Sequence, residues 1–462
     1  MFEFLLLLTA VIAIAGIVIA YDGSRDVFHP LVIIGPMLVF LYAWMPWELL
    51  QHNGLARFFD RDQLRFVQLL NVLGVLAFVL AVLAAGVRIG PSQRRPLKIT
   101  SRIQRRLLIG SAMLGSIGLL CWSITIINVG GFTAAFSTSY SGGQDSSGYI
   151  RDGAMLLLIG VLLAVVSLSA GGPRLRGILL ALIFGVPWAS SALLTGRRGP
   201  TFNLAVVCLM GWYINRLKRP PLLLVTAGGL LLGWFVLFLV TNRQQIYLGS
   251  NFDVNINVSN QVEKPDSGNE YIYGSGSVLA AQRRDHYFWM RRYLAQVLIR
   301  PIPSSIWPTK YEDFGVPELL YNAGTDEGIG DTLGWVGAPG SAPGMIADFW
   351  LEVWWFAPVL MGLVGCVFAA AWRCAVTRGG PWSTLYVCLA ALSIYLVMQT
   401  GEAVIFRTLE LGIPAWLAWK WAIREPRTHA RRPLFGAAAQ PALARVPNAH
   451  HASLTQRKSP HV

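Results

Sequence analysis

Uninterrupted apolar runs, near 4–20, 31–50, 66–87, 107–127, 153–170, 175–195, 201–215, 221–241, 345–372, 382–400 and 403–422, constrain this chain more than any motif does. A helix needs about twenty such residues to cross a bilayer. Lipid offers the backbone no hydrogen bonds, and a helix satisfies its own. The pattern predicts an all-α polytopic membrane protein with about eleven transmembrane helices and one long extracytoplasmic loop. Helices 1–8 form a membrane domain over 1–242, the loop with its short helices covers 243–344, three more helices fill 345–423, and 424–462 reads as a disordered basic cytoplasmic tail. Met1-Phe2-Glu3 lacks the cations of a signal peptide, and no small-residue cleavage pattern closes the first run, so that run is expected to stay as a helix.

Charged residues make up 13% of the 462, about half the share in a soluble protein. The net charge of +14 reflects topology, because Lys and Arg collect in cytoplasmic turns. Nucleic acid is therefore not expected as a partner; the bilayer is. Arg88, Arg94, Arg95, Lys98, Arg102, Arg105 and Arg106 fall in one connection, and Arg174 and Arg176, Arg216, Lys218 and Arg219, and Arg373 and Arg378 mark the alternate turns. That parity places the amino terminus, 129–152 and the long loop outside the cytoplasm, unless the second run, with Pro36 and Pro46, is re-entrant. All five cysteines lie within or at the ends of apolar segments, with no CxxC spacing and no disulfide framework.

Cations on the unexpected side of the membrane carry the information. Thr195-Gly196-Arg197-Arg198-Gly199-Pro200 puts two arginines at the predicted outer face. Either they grip an anionic lipid diphosphate through paired hydrogen bonds, or they snorkel to lipid head groups. In the loop, 277–300 reads as one helix ended by Pro301-Ile302-Pro303. Arg284 then shares a face with Arg291 and Arg292, seven and eight positions on. That spacing suits a substrate with more than one anion, and a solvated face near anionic lipid equally. Arg243, Arg283 and Arg300 join this group.

His286 sits between Asp285 and Tyr287, where a carboxylate can fix its tautomer for general-base work; a surface or packed histidine is the other reading. Asp326, Glu327 and Asp331 are alternative bases. Asp348 and Glu352 lie one turn apart on one face of the next helix and are expected to face a polar cavity, as partners of the outer arginines or as participants in chemistry. Glu402, Arg407 and Glu410 extend that cluster. HExxH, GxSxG, Walker and GxGxxG spacings are missing, as are clustered His or Cys ligands and a DxD-like pair in the outer segments. No metal or other cofactor is expected.

Thr195-Gly196-Arg197-Arg198-Gly199 after a middle helix, a long external loop late in the chain, and Pro339-Gly340-Ser341-Ala342-Pro343-Gly344-Met345-Ile346-Ala347-Asp348-Phe349-Trp350 leading into a helix together resemble the Wzy-type O-antigen polymerases, also called oligosaccharide repeat unit polymerases. The resemblance covers most of residues 60–422. Members often show a Gly-Ser-Arg-Gly-like turn and a Gly-x-Ser stretch followed by an acidic residue. Here Arg197 stands in the serine place, and Trp354-Trp355 replaces the usual small step.

The resemblance implies a GT-C-like glycosyltransferase in the bacterial inner membrane that joins undecaprenyl-diphosphate-linked oligosaccharides at the outer face, beside chain-length regulator and flippase proteins. It implies Arg197, Arg198 and Arg243 at the diphosphate, Arg284, Arg291 and Arg292 at the second lipid or sugar anions, and His286 or Asp348 as proton acceptor. Tyr287, Trp289, Trp307, Tyr311 and Trp335 are candidates to stack on sugar rings. An O-antigen ligase shares this architecture, and a flippase or transporter for lipid-linked sugars is the alternative outside enzymes.

Overall fold

The computed structural model describes residues 1–86, 89–90, 93–94, 97–137, 148–216, 218–242, 245–250, 269–315, 326–336 and 341–425. Arg243 and the basic tail from 426 onward lie outside the described residues. Every regular element among the described residues is helical. The long helices in chain order are α1 Phe2–Ser24, α2 Pro30–Gln51, α3 Arg61–Gly86, α4 Ser101–Asn128, α5 Gly148–Ser169, α6 Arg174–Leu193, α7 Arg198–Tyr213 and α8 Leu222–Thr241. The loop supplies α9 Glu270–Arg284, α10 at 291–299 and α11 Asp326–Leu333. Then follow α12 Gly344–Val353, α13 Ala357–Arg378, α14 Pro381–Met398 and α15 Gly401–Ile423.

Among the described residues, nine helices are long and apolar enough to cross a membrane. The runs 201–215 and 403–422, also expected to span, form α7 and α15 but fall outside that group. One has only 16 residues, and the other carries Glu402, Arg407, Glu410 and Lys420. Both are nevertheless built into the bundle, α7 against α5, α6 and α14, and α15 against α14 and α4.

The structure describes the continuity of two runs, and one expectation is corrected. The second run is one unbroken helix; between Pro36 and Pro46 it loosens into a π turn at Phe40–Trp44, since proline offers no N–H to the ladder. The run 345–372, in contrast, is two helices. Trp354 turns to φ 54°, a short 3₁₀ turn follows, and Pro358 opens α13 at a position where its missing N–H costs nothing.

Glycine sets how closely α4 and α5 approach. A Cβ on Gly160 would stand 2.8 Å from the Gly115 Cα, and one on Gly118 would stand 2.4 Å from the Leu157 nitrogen. Small residues at a crossing let dispersion act between backbones where lipid removes the hydrophobic drive. α12 is the centre of the fold, because all ten of its residues are buried.

Polar side chains gather at the two ends of the bundle. At the end away from the loop, Asp26 is fully buried and accepts from Arg219 Nε (3.0 Å) and Nη2 (3.3 Å), with Arg94 at 3.8 Å. Arg94 also donates to the carbonyls of Ser24 and Arg25 at the end of α1, and Arg219 to those of Tyr213 and Ile214 at the end of α7. One carboxylate and two guanidiniums thus lock two helix C-termini together.

Candidate functional site

The loop end begins with a helix break. The expected single helix over 277–300 does not form: Asp285 closes α9 at φ 50°, and Trp289 and Met290 also take positive φ. In between, the N–H groups of Phe288 and Trp289 donate to the carbonyls of Leu351 and Glu352 (2.8 and 2.7 Å). The backbone is spent on α12, and the helix cannot continue through it. Arg284 therefore does not share a helical face with Arg291 and Arg292, and the predicted two-anion spacing is lost.

That break delivers Arg292 into the protein. Its side chain is 9% exposed and donates to Asp348 Oδ1 (2.8 Å) and Glu352 Oε1 (2.5 Å), both carboxylates being fully buried. The planar guanidinium suits this fork. Burial alone would weaken its charge, but Asp348, Glu352 and Glu402 outweigh burial and raise its pKa. Both Asp348 oxygens are engaged, since Oδ2 also accepts from the Tyr293 hydroxyl (2.6 Å) and the Gly401 N–H (2.8 Å). Only glycine fits at 401, where a Cβ would come within 2.3 Å of the Tyr293 oxygen. Glu352 retains one buried oxygen, Oε2, with no hydrogen-bond partner. Asp348 and Glu352 do share a face and partner a loop arginine, Arg292; Arg197, Arg198 and Arg407 are not their partners.

Arg198 opens α7 and pairs with Glu270 at 2.5 Å. Glu270 is held at the first turn of α9, where Asn269 caps the helix by accepting from the N–H groups of Tyr271 and Ile272 (3.0 and 3.2 Å). Arg197 is half-buried on the same turn. Arg284 binds Asp331 (2.9 Å) and Thr332 on α11, so this alternative base is occupied by an arginine. Arg291 and His286 are exposed. The His286 ring meets the edge of Phe288, and no hydrogen bond joins it to Asp285 among the described residues.

A second polar group runs down α15. Glu402 accepts from Gln296 Nε2 (3.1 Å). Arg407 stacks on Tyr395 at 4.3 Å. Tyr395 is also the ring that the 196–200 turn closes upon, because a Cβ on Gly199 would lie 2.3 Å from its hydroxyl. Arg300 pairs with Asp152 and lies 4.2 Å over Phe406. Lys310, fully buried, donates to Tyr149 (2.9 Å) and to the carbonyls of Ile299, Arg300 and Ile302, pinning the end of α10 to α5.

The candidate stacking aromatics are mostly engaged within the protein. Trp335 meets Phe58 and Phe59, Tyr287 meets Trp350, and Trp307 donates to Asp313. Trp289 is 56% exposed. Sequence reasoning missed Glu270, Asp152, Tyr293 and Lys310. For Glu270 and Asp152 the available signal was charge balance, since each inward arginine requires a carboxylate to offset desolvation; Tyr293 and Lys310 carried none.

Among the described residues no group of three or more His, Cys, Asp or Glu is placed to hold a metal ion. What the loop end does offer is half-buried guanidinium and carboxylate groups side by side between helices. In low dielectric such groups bind anions and exchange protons more strongly than they would in water. Compared with known proteins, the chain matches no family model, and neither a curated protein nor a solved structure is found similar to it.

Proposed function

We propose that this chain is a glycosyltransferase that polymerises undecaprenyl-diphosphate-linked oligosaccharide repeat units at the outer face of the bacterial inner membrane. The observation that carries the reading is the convergence of the 196–200 turn with α15 on one ring, Tyr395, at the end of the bundle where the loop packs. Arginines held there meet the head group of a lipid whose tail lies among apolar helices. The diphosphate ester supplies its own leaving group, so the demand on the protein is cationic: guanidiniums neutralise charge as the glycosyl bond breaks. Arg197 and Arg407 fill that role. Arg198, already paired with Glu270, orders the turn and shares its charge between the two.

Deleting the gene tests the reading. Surface glycan reduced to single repeat units supports a polymerase. Glycan stranded on its carrier lipid indicates a ligase, and repeat units trapped on the cytoplasmic side indicate a flippase; either result overturns the proposal. In the complemented strain, Arg197→Ala is expected to abolish chain extension while the protein stays folded in the membrane.

A further inference from the structure

Along α15 the ionisable side chains keep hydrogen-bonding capacity that the protein does not use. Arg407 Nη1, Thr408 Oγ1 and Glu410 Oε2 are buried without a hydrogen-bond partner, as is Glu402 Oε2. Arg407 and Glu410 stand three residues apart, a spacing that lets opposite charges meet on a helix. They form no ion pair with each other among the described residues. Glu410 accepts no hydrogen bond there at all, and it faces Arg300, Asp152 of α5 and Cys121 of α4 in addition to Arg407. Buried polar atoms in native proteins are nearly always satisfied, and ionisable groups among apolar helices are retained for function. A donor and an acceptor left open on one helix face, as Arg407 and Glu410 are, mark the place of a polar ligand.

Arg407 and Glu410, which share one face of α15, define its chemistry. Arg407, backed by the Tyr395 ring, presents a fixed donor for an anion. Glu410 presents an acceptor for a hydroxyl proton about two turns from Glu402 along the helix. Asp348, by contrast, has both oxygens engaged, and His286 lies exposed on the turn after α9.

We infer that Arg407 ligates the diphosphate of a lipid-linked glycan and that Glu410 accepts the proton of the attacking sugar hydroxyl. This inference rests on the polymerase reading. In the step, the acceptor oxygen forms a bond to the anomeric carbon of the donor as its proton passes to Glu410. The anomeric carbon–oxygen bond to phosphate breaks, and the lipid diphosphate leaves with the electron pair, its charge met by Arg407. Glu410 then returns the proton to water.

The test uses the full chain in nanodiscs, with a lipid-linked single repeat unit as substrate and undecaprenyl diphosphate as binding probe. Glu410→Gln is expected to lower kcat by about 100-fold or more with KM little changed, and Glu410→Asp to keep part of the rate. Arg407→Gln is expected to abolish the thermal stabilisation that undecaprenyl diphosphate gives the wild type. Near wild-type kcat in folded Glu410→Gln overturns the proton-acceptor role, and full stabilisation of Arg407→Gln by the probe overturns the diphosphate role. Should Glu410→Gln fail to fold, Glu410→Asp decides: an unchanged kcat overturns the role, and a reduced kcat at unchanged KM supports it. If the wild type extends no glycan yet loses probe binding on Arg407→Gln, the polymerase reading fails while the anion site stands.

Discussion

Arg292 shows what one residue does in this protein. It is the sole cation donating to Asp348 and Glu352 among the described residues. Arg292→Met would leave two buried carboxylates uncompensated, and breaking a buried pair in this way costs about 3–5 kcal/mol. The expected result is a large fall in the thermal unfolding midpoint in detergent. Arg292→Lys is expected to recover only part of it, because an ammonium is a point charge and cannot fork to two carboxylates along the edges of one plane. The sequence alone identified both carboxylates by their one-turn spacing. It did not identify their partner, because Arg283, Arg284, Arg291 and Arg292 are equivalent in composition and differ only in which of them the backbone turns inward.

At the level of elements, the loop is organised by backbone commitments more than by side-chain periodicity. The break between α9 and α10 exists because Phe288 and Trp289 donate to α12. Lys310 plays the matching part at the other end of α10, where helix carbonyls lack intrahelical partners. Among the described residues no carboxylate pairs with it, and carbonyl and hydroxyl oxygens meet its charge. Lys310→Met removes the ammonium from those carbonyls and leaves the Ile299 oxygen with the Ile302 N–H and the Ile302 oxygen with the Tyr149 hydroxyl as remaining donors, a weaker clamp on the end of α10. Limited chymotrypsin digestion is expected to cut the 299–315 segment several-fold faster in this variant, with the membrane helices unaffected. Sequence periodicity could not foresee either feature, since a heptad-like apolar pattern across 277–300 is compatible with one helix until α12 offers acceptors that compete.

Over the whole molecule, buried charge clusters stand at both ends of the helices. The Arg292 cluster lies at the loop end, and the Asp26 lock lies at the other. His29, fully buried beside that lock, accepts from the Leu31 N–H through Nδ1 and meets the Trp372 ring at 4.6 Å. Burial, against the opposing pull of Asp26, lowers its pKa from 6.5 to about 4. The folded protein therefore holds His29 neutral while the unfolded chain binds a proton below pH 6.5. Stability is expected to fall as pH drops from about 6.5 to 4, by roughly 3 kcal/mol for a shift of this size. Unfolding midpoints measured across that range should decline in the wild type and flatten in His29→Gln, which cannot titrate.

The sequence by itself determined the class of solvent, the placement of the long helices to within a few residues and the concentration of arginines in one turn and one loop. These follow from local quantities: the free energy of placing each side chain in lipid, and the spacing of charges along the chain. Only the tertiary structure decided that Arg292 turns inward while Arg291 stays exposed, that both Asp348 oxygens are engaged, and that Arg407, Thr408 and Glu410 on α15 keep open hydrogen-bonding groups. Partner choice depends on which backbone and side-chain groups compete in three dimensions, and residues as far apart as Arg292 and Glu352, or Asp152 and Arg300, carry no local signal of each other. Desolvation makes that choice costly to get wrong, which is why the fold settles it for most buried charges.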